Sequence, residues 1–401
     1  MPLNIFIIVF MVGGWLSSRL FTRLALPGIL GMVLFGILLG NLRGVEAPEL
    51  VVSLDPFLKS LALIVILLRA GLGIHKQTLA RIGWRAGLMA AVPCLMEASA
   101  LTLAFHLLFG FAWPVAALAA FLLSAVSPAV VIPSMLDLRD KGHGKRNEVP
   151  TLVLAGASVD DVIAITFFSA FLALAADQSG NLYLSVASIP FSIIGGIVAG
   201  LIIGFPLAWY FQQRYKYIRA TEKTMLLLMA ALLVVEVGEL AHLAALLAVM
   251  VIGFIILEKA ERVAQELALK LAKVWVIAEI VLFVLIGMAV DLSVAWEAGL
   301  KGLLLIHIGL TFRSLGVMLS LAGSRLNWRE RAFCVIAYLP KATVQAALGA
   351  VPLAAGIAGG DVILSVAVLS IVYTAPLGLL LIRKLGPKLL DQELEHPAGG
   401  A

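Results

Sequence analysis

Charge is what this sequence has least of. Of its 401 residues only 13% are Asp, Glu, Lys or Arg, while 62% are hydrophobic. Soluble globular chains carry about 25% charged residues. A soluble fold of this length would need far more polar surface, so the shortage excludes one. Polar stretches of domain size are also missing: the longest are the loop 137–148 and a short tail after Arg383. The chain reads as one membrane unit, 1–401.

Cysteine is nearly absent. Cys94 and Cys334 both lie inside apolar runs. They lack the spacing of a zinc site or a disulfide framework, which leaves core packing. No basic segment precedes the first apolar run and no small-residue cleavage site follows it, so that run reads as a retained helix. The net charge of +5 comes from basic residues in loops between apolar runs. Topology accounts for them, and neither a nucleic acid nor a soluble partner is implied. No resident cofactor is expected.

What is present is a series of apolar runs of about 17–25 residues, long enough to cross hydrocarbon. About thirteen are expected, over 2–20, 24–41, 55–73, 82–109, 113–136, 149–176, 182–212, 222–238, 240–257, 266–290, 302–322, 328–356 and 361–382. Only Gly238 and Glu239 separate the eighth from the ninth. With the N-terminus outside, the cytoplasmic segments hold 23 of the 29 basic residues, and the outside segments only Arg43, Lys59 and Lys301. That bias is the positive-inside signature of an odd helix count with a cytoplasmic C-terminus.

Two spans are interrupted at mid-length, one at Pro128 and the other at Pro340. Proline removes a backbone donor and clashes with the preceding turn. Two ordinary kinks would also explain them. Their positions argue for more: each falls in the fourth span of a set of five, the second to sixth and the ninth to thirteenth. An offset of seven spans inverts one set relative to the other. Paired interruptions at matching repeat positions point to a transporter site at the bilayer midplane. The expected fold is all-α and polytopic, with two inverted five-helix repeats and crossed interrupted helices.

Five ionisable residues sit near span centres: Glu97, Asp160, Asp161, Arg313 and Lys341. Each costs roughly 2.5–3.5 kcal/mol there if unpaired, so together about 12–17 kcal/mol. They must pair or face water. Asp160 and Asp161 are consecutive on a helix, so their side chains diverge by about 100°. One can face a basic partner while the other faces a hydrated cavity. A carboxylate free to hold either a proton or a hard cation is the minimum for exchange. Hard monovalent cations favour oxygen ligands, which adds Ser127 and the carbonyls freed by the Pro128 break. A buried ion pair that only fixes packing would explain one carboxylate, not two. Glu97 and Arg313 occupy the third position of each repeat, and a purely structural bridge between them stays open. Arg69 reads as a snorkelling residue, and Glu279 as either a pathway residue or a partner for Lys273. Gly196, Gly200 and Gly204 mark close helix packing. His106, His242 and His307 lie toward the outside ends of spans, as interfacial residues or pH sensors.

The segment Ala157-Ser-Val-Asp-Asp-Val-Ile-Ala-Ile165 resembles the Asp-Asp motif of the cation:proton antiporter superfamily. Ser127–Ser134, Pro93–Glu97, Phe312-Arg313 and Leu339–Gln345 resemble the NHA-type Na⁺/H⁺ antiporters, and the similarity runs from about residue 24 to 384. The resemblance implies a lipid-embedded homodimer in a cell inner membrane, exchanging Na⁺ or Li⁺ for protons by an elevator movement and serving pH homeostasis. It implies a dimerisation bundle from 1–73 and 222–290, an ion-carrying core from 82–176 and 302–384, and a linker helix over 182–212. It implies Asp161 as cation and proton carrier with Asp160 beside it, and Lys341 neutralising the crossed helices. Arg313 stands where bacterial relatives often have lysine. Arginine does not lose its proton in proteins, which leaves the Asp pair as the titrating unit.

Two other classes fit parts of the pattern. A sodium-coupled symporter of an organic anion would use the buried basic residues to hold its substrate. An intramembrane aspartyl protease also needs two membrane aspartates, but on separate facing helices, and no Gly-x-Gly-Asp motif is present.

Overall fold

In the computed structural model, residues 2–24, 26–42, 47–73, 83–176, 182–241, 243–290 and 292–391 are described. Arg43, Lys76, Arg81 and His242 lie outside the described residues. All regular structure within them is helical. The helices are α1 (Leu3–Arg23), α2 (Gly28–Asn41), α3 (Glu49–Leu72), α4 (Gly83–Phe109), α5 (Trp113–Ser124), α6 (Pro128–Asp140), α7 (Val149–Ala176) and α8 (Leu182–Gln213). They continue as α9 (Ala220–Leu240), α10 (Ala245–Lys259), α11 (Glu261–Met288), α12 (Leu292–Ser320), α13 (Trp328–Ala337), α14 (Thr343–Leu348), α15 (Val351–Ala354) and α16 (Gly360–Leu389).

Among the described residues eight helices are long and apolar enough to cross a membrane: α1, α3, α4, α7, α8, α11, α12 and α16. Shorter apolar helices accompany them, among them α2, α5 and the stretch Thr343–Ala354. The exterior is apolar to match: Ile8 is 60%, Trp15 46% and Leu20 56% exposed along α1. A water-facing surface does not carry such a continuous apolar stripe; hydrocarbon accommodates it.

Several boundaries differ from those read in the sequence. The 113–136 span is two helices, and the second continues to Asp140. Helix α9 runs through Gly238 and Glu239, and the reversal falls after it. There the Leu243 amide returns to the Gly238 carbonyl at 2.8 Å, and the Ala244 amide reaches Ser192 on α8 at 3.1 Å. Helices α11, α12 and α16 extend past the apolar windows to Glu261, Leu292 and Leu389. A helix does not stop where hydrocarbon does, because its backbone bonds are internal.

Two groups of helices pack mainly within themselves. Helix α2 lies on α1 and α11, and α3 lies on α10 and α11. Glycine makes these crossings close: a methyl on Gly36 would sit 2.9 Å from Gly287 Cα, and one on Gly71 would sit 3.2 Å from Gly253 Cα. The second group centres on α4, which packs against α12, α5 and α7, with α16 against α12 and α13. Helix α8 runs between them, touching α10 and α7. Its glycine row is packed as its spacing suggests. Methyls on Gly196, Gly200 and Gly204 would fall within 3.1 Å of Ala244, Val251 and Ile255.

At one end of the second group the loop 141–148 is held from two sides. The Gly144 amide donates to Asp391 at 2.7 Å, and Asn147 Nδ2 donates to both Glu330 oxygens at 2.8 and 3.0 Å. Glu330 also closes a capping box with Asn327 at the start of α13. This satisfies two orphan amides of that helix. Cys94 and Cys334 are buried and unpaired, as packing residues.

Candidate functional site

The two interrupted helices cross, and their broken backbones bind each other. Pro128 is the first residue of α6, and Ser127 before it is extended (φ −87°, ψ 107°). That is the conformation a following proline imposes. The Ser127 amide, released from α5, donates to the Pro340 carbonyl at 2.8 Å. On the other side the Lys341 amide is received by Thr374 Oγ1 of α16 at 2.9 Å.

A helix end leaves its last carbonyls without intrahelical donors, and here the reason is visible residue by residue. The amide of Val126 would serve Leu122, that of Ser127 would serve Leu123, and residue 128 would serve Ser124. Val126 is instead turned to Asp160 Oδ2 at 2.8 Å, Ser127 goes to Pro340, and proline has no amide hydrogen. Side chains take their places. Gln345 Nε2 lies 3.2 Å from the Leu122 carbonyl, 3.3 Å from Leu123 and 2.8 Å from Ala125. Lys341 Nζ donates to Leu123 at 2.6 Å, and Arg313 Nη1 donates to Ser124. Protein donors thus face the carbonyls of Leu122, Leu123, Ser124 and Ala125, which the sequence alone offered to a cation.

Arg313, fully buried on α12, joins the parts. Its Nε donates to the Tyr338 carbonyl on the second broken helix at 2.9 Å. Nη1 meets Glu97 Oε2 at 2.8 Å, and Nη2 meets both Asp160 oxygens at 2.9 Å. The guanidinium lies 5.2 Å from the Tyr338 ring centroid. Glu97 also pairs with Lys341 Nζ at 2.7 Å. Glu97, Asp160, Arg313 and Lys341 are all essentially excluded from the surface. Burial of that kind is tolerated only when charges are matched, and these are: two carboxylates face two cations.

Asp161 is the residue left over. It follows Asp160 on α7, and its Oδ1 is buried with no hydrogen-bond partner among the described residues. The divergence of neighbouring helical side chains has sent Asp160 to Arg313 and left Asp161 unpaired. Near the crossing, the buried hydroxyls of Ser127 and Thr343 stand 3.3 Å apart.

The structure thus joins Glu97, Asp160, Arg313 and Lys341 in one network. Arg69, Glu279, His106 and His307 lie elsewhere. Arg69 stacks on Trp275, 5.7 Å from its centroid, and its charge acts on Glu279. His106 stacks on Trp113 with Nδ1 2.7 Å from the Phe111 carbonyl, and His307 meets Tyr373 at 3.2 Å. The Glu97–Lys341 pair and the roles of Thr343, Tyr338 and Gln345 are absent from the sequence reading. A polar residue four positions after Lys341 in an apolar run was the available signal for Gln345.

Comparison with known proteins is consistent across sequence and fold. Residues 7–383 match the family model described as sodium/hydrogen exchanger, transmembrane. The chain is 33% identical to sodium/hydrogen exchanger 9B1 of Homo sapiens over 386 residues, covering 92% of this chain and 74% of that one. It is 34% identical to sodium/hydrogen exchanger 9B2 of Homo sapiens over 402 residues, covering 96% and 74%. The fold superposes on the sodium proton antiporter MjNhaP1 of Methanocaldococcus jannaschii with a TM-score of 0.77. The identity there is 21%, with 94% of this chain and 97% of that chain covered.

Proposed function

This chain belongs to the sodium/hydrogen exchanger family, a family of multi-pass membrane transporters, and we propose that it exchanges Na⁺ or Li⁺ for protons with Asp161 as the carrier. The single observation behind this reading is the charge count at the crossing. Arg313 and Lys341 are matched by Glu97 and Asp160. Asp161 has no counter-charge of its own among the described residues, so a proton or a bound cation must neutralise it when it is enclosed. Occupancy by one excludes the other, and that competition is the exchange. Ser127 and Thr343 supply hydroxyl oxygens to the bound cation. Asp160 holds the site in place through Val126 and Arg313. With arginine permanently charged, one cation replaces one proton and the cycle is electroneutral.

The grouping of the helices supports a sliding movement. Residues 82–176 and 302–384 carry the site as a core that slides, as an elevator, against a scaffold from 1–73 and 222–290. Helix 182–212 links the two. The scaffold pairs with a second copy in a homodimer within the lipid. The excess of basic residues in one set of loops supports a cytoplasmic C-terminus and an outside N-terminus, in a cell inner membrane.

The test is proton movement in proteoliposomes, read with a pH-sensitive dye on addition of Na⁺, Li⁺ or K⁺. Na⁺ and Li⁺ should release the proton gradient, and Asp161→Asn should abolish the response in reconstituted protein. Wild-type exchange by Asp161→Asn would remove the carrier assignment.

A further inference from the structure

We propose that Gln345 sets the ion selectivity of the site by withholding backbone carbonyls from the cation, an assignment that rests on the exchange reading above. Gln345 is fully buried on α14. Its carboxamide nitrogen faces three carbonyls of the first broken helix, those of Leu122, Leu123 and Ala125, at 2.8–3.3 Å. Leu123 has a second donor in Lys341, and Ser124 is held by Arg313. Among the described residues, Leu122 and Ala125 have no donor besides Gln345. An amide nitrogen carries two hydrogens, so its donors are fully committed. The opposite orientation would press the amide oxygen against three carbonyl oxygens, which fixes the side chain as it stands. Its Oε1 is buried with no partner among the described residues as a consequence.

These carbonyls flank Val126, whose amide holds Asp160 at 2.8 Å. Asp161 is the next residue, and Ser127 with Thr343 lies at the same crossing. While Gln345 covers the carbonyls, a cation at Asp161 meets a carboxylate and hydroxyls and keeps part of its water shell. That arrangement suits a small hard ion. Rings of free carbonyls do the opposite: they replace the hydration shell and coordinate K⁺. Uncovering Leu122 and Ala125 adds two such oxygens at the crossing. The larger ion gains from them most, because it gives up its water more readily.

Gln345 is a positioning residue here, so the readout is a ratio that general damage does not move. Apparent KM for Na⁺, Li⁺ and K⁺ is measured in proteoliposomes for wild type, Gln345→Met and Gln345→Asn. Methionine has similar length and no donor; asparagine keeps the donor one methylene short. In Gln345→Met the KM for K⁺ should fall relative to that for Na⁺ by roughly three- to tenfold, the worth of about one hydrogen bond. Gln345→Asn should shift the ratio the same way by less, and it decides the matter alone if Gln345→Met does not reconstitute. A side chain that only packs would lower the rate for every ion and leave the ratio unchanged; that result overturns the assignment. A wild-type protein that moves no protons in response to any cation overturns the exchange reading, and this inference with it.

Discussion

Replacing Arg313 by lysine separates what its charge does from what its shape does. In the structure the guanidinium serves Tyr338, Ser124, Glu97 and both oxygens of Asp160. An arginine has five N–H donors in a planar fork and a lysine three on one nitrogen. Lysine keeps a positive charge between Glu97 and Asp160. It cannot also reach Tyr338 on one broken helix and Ser124 on the other. Two buried carbonyls then lose their donors, at roughly 1–3 kcal/mol each, or about 2–6 kcal/mol together. Arg313→Met goes further and strips a buried carboxylate of its counter-charge, a loss of about 3–5 kcal/mol for the pair alone. The stability order is therefore wild type, then lysine, then methionine. Reversible unfolding in mixed micelles, titrated with a denaturing detergent and followed by tryptophan fluorescence, measures it. A lysine variant as stable as wild type would refute the claim that the guanidinium ties the two broken helices together. A methionine variant no worse than lysine would refute the claim that the buried charges are matched through it.

The two aspartates should part in the same assay. Asp161→Asn, which breaks no contact of Oδ1, should leave the unfolding midpoint near wild type, while Asp160→Asn should lower stability by about 3–5 kcal/mol through its broken pair with Arg313. Exchange by the wild type should be insensitive to a clamped membrane potential, since one proton leaves for each monovalent cation; a rate that changes steeply with potential would show a second titrating group. Asn327→Ala removes the cap of α13 and should cost about 0.5–2 kcal/mol in the unfolding titration. Gly287→Leu should destabilise the contact of α2 with α11, because even a methyl on Gly287 would sit 2.9 Å from Gly36 Cα; unchanged stability would mean these helices are not pressed together.

Much was legible in the residues alone, for reasons that are local or solvent-driven. Hydrocarbon rejects charge and unpaired backbone whatever the fold, so the apolar runs and the class of protein followed from composition. The five intramembrane charges stood out by their cost. The prolines located both interruptions, because a missing amide hydrogen acts at its own position in the chain. The divergence of consecutive helical side chains separated Asp160 from Asp161 before any partner was known.

Pairing was decided only in three dimensions. Glu97, Asp160, Arg313 and Lys341 are separated by tens to hundreds of residues, and nothing local says which carboxylate meets which cation. The sequence led to Glu97 beside Arg313; the fold added Lys341 to Glu97 and Arg313 to Asp160. The same holds for the freed carbonyls. Proline releases them, but only the crossing of the second broken helix brings Lys341 and Gln345 within reach to cover them. What the sequence determined by itself is where the membrane-buried charges and helix breaks lie, because those follow from a residue's own chemistry. What tertiary structure alone decided is that, of the five intramembrane charges, Asp161 has no counter-charge among the described residues, because that depends on how the other four are matched.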